Sequence, residues 1–173
     1  MREGLMHDYE LKRLSFSDLE AALKMAVNYR DLNLPQEAES ICRDVLDVEP
    51  KNEKALRILG LSLTDRFSEN QVGLFEEARA VFATLTKEYE RVYYEGVAWE
   101  RQAKADLVRN EGHNALAALE HALEAFEKAQ KLATDPSPDP VLRWNRCVRL
   151  LHSHPLLKDA FDTPHSRQPH LGD

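Results

Sequence analysis

The chain has 173 residues, of which 43% are hydrophobic, and a net charge of −7. This length suits one domain with enough apolar residues for a core, and the acidic balance argues against a general nucleic-acid-binding protein, which normally carries a basic face. No apolar run approaches the roughly 20 residues that span a bilayer, and the N-terminus lacks the apolar stretch of a signal peptide. We therefore expect a cytoplasmic protein without membrane contact.

The first half of the chain predicts three helices. Residues 1–16 are mixed in character and are expected to form an N-terminal extension. A first helix is expected at Ser17, where Ser17 and Glu20 have the spacing of a capping box. Pro35 suits the first position of a second helix, which stops before Pro50, and Asn52 is expected to cap the third.

The second half predicts four more helices. A fourth follows a loop at 68–73, a long fifth covers about 91–108, and Asn114 is expected to cap a sixth that reaches about 132. Asp139 and Pro140 start a seventh, which ends the helical domain at 152. Residues 153–173 contain prolines and histidines without periodicity and predict a disordered tail. Seven helical patterns and no strand pattern predict an all-α fold.

The helices repeat at a fixed period. Ala26 and Gly60 are 34 residues apart, and so are Tyr29 and Leu63. These residues are the small and large positions of successive first helices. A period near 34 built from helix–turn–helix units is typical of one repeat family.

The repeat resembles the tetratricopeptide repeat (TPR) family over about residues 17–136, with the seventh helix as a cap. Its positions are held by Ala22, Met25, Ala26, Tyr29, Ala38, Cys42 and Pro50, then by Leu56, Leu59, Gly60, Leu63, Ala78 and Phe82, and then by Gly96, Trp99, Ala122 and Phe126. Glu90 stands where the second repeat would close with proline, and Pro136 falls two residues late. The resemblance implies a right-handed superhelix of antiparallel helix pairs, a TPR-like α-solenoid. We expect Trp99 and Trp144 to pack in its core.

The third repeat departs from this pattern in length. From the aromatic position of the first helix to the alanine of the second helix is 9 residues in the first repeat, 15 in the second and 23 in the third. The extra residues of the third repeat are helical in character on both sides of Asn110. This predicts a longer hairpin that extends roughly 10 Å beyond its neighbours, either as a functional edge or as a mere lengthening.

Stacked helix pairs leave an extended concave surface lined by their first helices. The residues expected to line this groove are Leu23, Val27, Arg30, Lys54, Arg57, Leu61, Thr64, Tyr93, Val97 and Glu100. Such an apolar strip flanked by basic residues suits a peptide or partner protein that carries acidic groups. The alternative is that Arg30, Lys54 and Arg57 pair with local carboxylates on a solvated face.

One subset of the family binds a C-terminal carboxylate through a Lys/Asn/Asn/Lys/Arg set. The matching positions hold Leu23, Val27, Ile58, Glu90 and Tyr94, none of which fits. That particular ligand is therefore not expected.

No residues predict catalysis or a cofactor. His113 and His121 are eight residues apart rather than at the spacing of a helical metal pair, and His152, His154, His165 and His170 lack neighbouring cysteines or clustered carboxylates. Cys42 and Cys147 lie in helical apolar patterns and are expected to be reduced core residues. Two hypotheses remain: a non-enzymatic interaction module that holds a protein partner in its groove, or a structural subunit that self-associates through exposed helix faces and the C-terminal helix. A metal-dependent enzyme is a weaker third.

Overall fold

The computed structural model describes residues 9–69, 71–134 and 137–163. Within these ranges the chain forms a short 3₁₀ turn, Phe16–Asp18, and eight α-helices, with no strand. The helices are α1 (Leu19–Asp31), α2 (Pro35–Val48), α3 (Glu53–Asp65), α4 (Leu74–Ala83), α5 (Glu88–Val108), α6 (Gly112–Leu132), α7 (Asp139–Ser153) and α8 (Pro155–Asp162). They pack in adjacent pairs, which confirms the predicted all-α class.

Two of the expected helix starts are confirmed. The side-chain oxygen of Asn52 accepts a hydrogen bond from the amide of Ala55 at 2.9 Å and so caps α3. Pro35 is the first residue of α2, where its missing N–H has no helical partner to lose. These signals act within one turn of the chain, so neighbouring residues are enough to predict them.

The expected capping box at Ser17 is wrong. The Ser17 hydroxyl lies 2.8 Å from that of Ser15, and the Glu20 carboxylate accepts from Lys54 of α3 at 3.0 Å instead. Helix α1 begins only at Leu19, after the 3₁₀ turn. Residues 9–15 of the predicted extension have no regular structure, and residues 1–8 lie outside the described ranges.

The predicted small and large positions of the repeat meet between paired helices. A Cβ atom on Gly60 of α3 would overlap a ring carbon of Phe82 on α4, whose side chain is fully buried. A Cβ on Gly96 of α5 would likewise lie 2.7 Å from a ring carbon of Phe126 on α6. Only glycine lets these aromatic rings lie against the neighbouring helix backbone.

The third hairpin is longer than the others, as predicted. Helices α5 and α6 have 21 residues each, whereas α1 to α4 have 10 to 14. Helix α6 begins at Gly112 rather than at Asn114, whose side-chain amide donates to the Glu111 carboxylate at 3.1 Å and caps nothing. The extra turns are packed on the chain itself: Arg109 donates to the carbonyl of Phe67 at 2.7 Å, and α8 lies along α6.

The prediction of a disordered tail from residue 153 is wrong for α8. Pro155 begins this helix, and Leu157, which is 1% exposed, packs into the same apolar cluster as α6 and α7. Helix α8 has only eight residues, about two turns, which is too short for helical periodicity to be recognised in the sequence. Its stability comes from tertiary contacts instead. Residues 164–173, with His165 and His170, lie outside the described ranges.

Candidate functional site

Helices α1, α3, α5 and α7 share one face of the stack. Helix α1 packs against α3, and α3 against α5. Helix α7 is held beside α5 by Arg143, which donates to the Glu100 carboxylate at 2.8 Å. This first-helix face is the surface on which all ten predicted groove residues were placed.

Four of those ten residues lie in the interior. Leu23 and Thr64 are each 2% exposed, Val97 is fully buried and Glu100 is 1% exposed. The Thr64 hydroxyl donates to the carbonyl of Leu61 one turn earlier. Buried side chains cannot contact a partner at the surface, so these four residues support neighbouring helices instead. Counting positions around each helix does not predict their burial, because each first helix contacts two neighbouring helices and so buries residues on more than one of its faces.

The three basic residues of the predicted groove are all in ion pairs. Lys54 pairs with Glu20 at 3.0 Å, Arg57 with Glu90 at 3.0 Å and Arg30 with Asp65 at 2.9 Å. Each pair joins one first helix to the next. The alternative prediction, in which these cations pair with carboxylates of the same chain, describes the structure.

The remaining predicted residues are partly accessible. Val27 is 37% exposed on α1, and Leu61 is half-buried beside Tyr93 and Tyr94. The Tyr93 ring stacks on that of Tyr89 at a centroid distance of 5.9 Å. Leu61, Tyr93 and Tyr94 therefore form a partly accessible apolar surface where α3 meets α5.

A charged cleft lies where α5 meets α7. This α5–α7 cleft has a volume of about 390 Å³ and is lined by Tyr93, Glu100, Lys104, Asp139, Leu142, Arg143 and Arg146. Glu100 forms its base and accepts hydrogen bonds from both Lys104 and Arg143. Burial alone would raise the pKa of Glu100, but the hydrogen bonds and charges of Lys104 and Arg143 hold it below its ordinary value. The carboxylate therefore stays charged between two cations.

Positive charge is in excess along this part of the first-helix face. Asp65 is shared by Arg30 and by Arg101 of α5, the latter at 3.3 Å, just as Glu100 is shared by two cations. Arg146 is exposed at the rim of the α5–α7 cleft and makes no ion pair with the described residues. A surface with more cations than carboxylates attracts acidic groups.

Sequence reasoning missed Arg101, Lys104, Arg143 and Arg146 as candidate site residues. Both pairs have i, i+3 spacing, which places each pair on one helix face. Their meeting across α5 and α7 was not evident, because α7 was expected only to cap the stack. The available signal was the repeated arginines of α7, where Arg143, Arg146 and Arg149 recur every third residue.

Other chemistry finds little support in the described part of the chain. It holds no group of three or more His, Cys, Asp or Glu residues that could bind a metal ion. Cys42 and Cys147 are buried free thiols, and burial raises the pKa of each to about 12. Both thiols are therefore protonated and inert near neutral pH. Among these residues no helix is both long and apolar enough to cross a membrane.

Trp99 and Trp144 were both expected to pack in the core. Each is half-buried and packs against the apolar cluster that α5, α6, α7 and α8 form, which we refer to as the second apolar cluster. The Trp99 indole also donates to Glu95 at 3.0 Å, and its ring lies 4.5 Å from that of His121. Trp99 therefore stands at the edge of the core, with part of its surface accessible.

Comparisons with protein-family models, with curated proteins and with solved structures return no match. Membership of the TPR family therefore stays a prediction, which rests on the 34-residue period and the small–large packing. The all-α stack of paired helices stands on the structure itself.

Proposed function

We propose that this chain is a TPR-like, non-enzymatic interaction module that binds an acidic segment of a partner protein on its first-helix face, centred on the α5–α7 cleft. The observation that carries this proposal is the buried Glu100 carboxylate, shared by Lys104 and Arg143 with Arg146 unpaired beside it. Two carboxylates, Glu100 and Asp139, face three cations in this cleft, which leaves a local positive charge on a chain whose net charge is −7.

The distribution of charge over the stack supports this surface. Helices α1, α3, α5 and α7 together carry equal numbers of acidic and basic residues, whereas α2, α4 and α6 carry five more acidic than basic residues. An acidic segment is therefore repelled by the second-helix side and meets no such net repulsion on the first-helix face. Such complementarity selects partners and speeds their association more than it adds raw affinity.

The cleft also offers an ordered set of donors. Glu100 fixes Lys104 and Arg143 before any partner arrives, so little side-chain freedom is lost when they meet a second carboxylate. Apolar side chains of the partner can lie on Leu142, which is 60% exposed, and on the surface around Tyr93. We therefore expect a partner segment with acidic residues next to apolar ones.

The test uses a fluorescent 12-residue peptide of alternating Glu and Leu, with its Lys/Leu counterpart, in fluorescence anisotropy titrations. The Glu/Leu peptide should bind more tightly, and Arg146→Glu should weaken it by at least about tenfold, since it reverses an exposed charge at the rim. Affinity should also fall with added salt.

Arg149→Glu is the matched control, because it makes the same change on an exposed part of α7 outside the cleft. The Arg149→Glu variant should lose clearly less affinity for the Glu/Leu peptide than Arg146→Glu does, since Arg149 lies one helical turn outside the cleft and acts on the peptide only through a screened charge. Equal losses in both variants, or no loss in either, would contradict the proposed site.

A second candidate function is self-association through the C-terminal helices. An apolar cleft of about 590 Å³ lies among α6, α7 and α8, lined chiefly by Leu116, Leu123, Leu151, Leu157 and Phe161. Phe161 is 73% exposed at the edge of this cleft, where it can contact a second copy of the chain together with the leucines. Light scattering after size exclusion tests this function: a dimer that Phe161→Glu converts to a monomer supports it, and a wild-type monomer at all concentrations rules it out.

A further inference from the structure

A second cleft lies between α4 and α6 and runs along α5. It consists of two cavities of about 420 and 470 Å³, both lined in part by Trp99 and His121 and therefore continuous at these two rings. We refer to this space as the α4–α6 cleft. It exists because α4 has only 10 residues, whereas α5 and α6 have 21 each.

The walls of the α4–α6 cleft suit the close approach of a helix. Its lining includes four alanines, Ala83, Ala117, Ala118 and Ala125, and two aromatic rings, those of Phe75 and Trp99. From Val92 to Asp106 the cleft follows 15 residues of α5, and the 14 steps between them span roughly 21 Å at 1.5 Å per residue. That length corresponds to about four helical turns, and small residues let a helix backbone lie close to its neighbours.

The charged residues that line the cleft determine whether it attracts a basic or an acidic partner. Each cation there is already committed: Arg91 donates to the carbonyls of Leu85 and Thr86, Arg109 to that of Phe67, and Lys128 pairs with Glu88 at 3.7 Å. In contrast, Glu111 and Glu124 line the cleft without an ion pair to any described residue.

The Trp99 ring at the centre of the cleft likewise already has close partners. Arg79 lies over the Trp99 ring at 5.2 Å and pairs with Glu95 at 2.7 Å, while His121 packs against the ring at 4.5 Å. A cation on a partner therefore finds its complement in the carboxylates of Glu111 and Glu124, which form no ion pair with the described residues. Apolar side chains of the partner find the edge of Trp99, Phe75 and the alanines.

We propose that the α4–α6 cleft binds a basic amphipathic helix of a partner protein, with its apolar stripe on Trp99 and the alanines and its Lys or Arg side chains on Glu111 and Glu124. This surface is separate from the α5–α7 cleft, so it stands or falls independently of the function proposed above. The two clefts select opposite charges, which lets one molecule join an acidic segment to a basic one.

Trp99 fluorescence provides the direct readout. In the Trp144→Phe background Trp99 is the sole indole, and it lines the cleft. The probe is an 18-residue synthetic peptide with leucine at helical a and d positions and lysine elsewhere, and its counterpart carries glutamate in place of lysine. The Lys peptide should shift the Trp99 emission saturably, and the Glu peptide should bind at least about tenfold more weakly, as expected for a charge-selective groove.

Two variants place the binding at the cleft. Ala117→Arg fills an exposed position on the wall and should weaken the Lys peptide at least about tenfold, and Glu124→Lys should weaken it about threefold to tenfold. Ala21→Arg and Glu37→Lys are the matched controls, since they make the same changes on exposed faces of α1 and α2 and should alter the affinity less than about twofold. Circular dichroism verifies that each variant is folded.

Three results would overturn the proposal. They are the absence of a saturable signal with the Lys peptide, binding of that peptide to Ala117→Arg as tight as to the wild type, and equal binding of the Lys and Glu peptides. A wild-type dimer that Ala117→Arg converts to a monomer would instead assign the cleft to a second copy of this chain. Arg146→Glu should leave binding of the Lys peptide unchanged, which separates this result from a failure of the α5–α7 cleft.

Discussion

The first four helices and the last four differ in how they are held together. In the first part, ion pairs join residues 34 or 35 apart, such as Arg30 with Asp65, Arg43 with Glu77 and Lys54 with Glu20. In the second part, α8 packs against α6, and Arg109 at the end of α5 donates to the carbonyl of Phe67. Neither contact recurs at the 34-residue spacing of the repeat. Repeats of constant length place the same contacts at each interface, whereas the longer α5–α6 hairpin is held by contacts that occur only there.

The largest effect that separates the two parts is expected for Leu157→Ala. Leu157 is 1% exposed and is the main contact of α8 with the second apolar cluster, so its truncation should cost about 2–4 kcal/mol of local stability. Amide hydrogen exchange should accelerate in α8 and in the first half of α6. The exposed neighbour Lys158→Ala is the control, and equal acceleration in α1 to α4 would show that the two parts do not open separately.

Gly60→Ala should destabilise the regular part by about 1–3 kcal/mol, because the new methyl group overlaps the Phe82 ring. Urea denaturation measures the change. Phe82→Leu makes room at the same contact, so it should cost less in the Gly60→Ala background than in the wild type. If the losses of stability from Gly60→Ala and Phe82→Leu were additive, the new methyl group would not clash with the Phe82 ring.

Glu100→Gln should cost about 1–2 kcal/mol at pH 7, because the amide cannot neutralise Lys104 and Arg143. The pKa of Glu100 in the folded protein lies below its ordinary value of 4.5, so the charged carboxylate stabilises the fold fully above that pH. This contribution is lost as the pH falls from 4.5 through the folded pKa. The difference between variant and wild type should therefore narrow in that range when unfolding is measured against pH.

Asp106 on the same helix provides the opposite case. Burial raises the pKa of Asp106 above its ordinary value of 3.8, more than the hydrogen bond from Gln102 and the charge of Arg109 lower it. Its ionisation therefore weakens the fold as the pH rises from 3.8 through the folded pKa. Asp106→Asn should gain stability relative to the wild type over that range. If the stability difference between Asp106→Asn and the wild type had the same pH dependence as that of Glu100→Gln, the raised pKa of Asp106 would be contradicted.

The smallest effect is expected for one ion pair of the regular part. Arg43 and Glu77 are 2.6 Å apart but 48% and 42% exposed, so a double-mutant cycle to alanine should give a coupling of about 0.2–1 kcal/mol. The coupling should shrink in 1 M salt. A larger value that salt does not change would show that these repeated pairs, rather than apolar packing, hold the regular part together.

Much of the fold followed from local signals, and the candidate site did not. Asn52 and Pro35 marked helix starts that depend only on nearby residues, and the 34-residue spacing of Ala26 and Gly60 identified the paired helices. The capping box at Ser17 failed because Glu20 found a partner on α3. The predicted groove lost its free cations for the same reason, since sequence spacing does not tell which carboxylate lies across the interface.

The sequence by itself determined the all-α class, the paired helices, the longer third hairpin and the glycines that admit Phe82 and Phe126. These features follow from periodicity and residue size, which are properties of the chain. The tertiary structure alone decided that Arg143 and Lys104 share Glu100, that α8 covers α6, and that α4 leaves a cleft beside Trp99. Such arrangements join residues far apart in the chain, so they depend on how helices of unequal length pack.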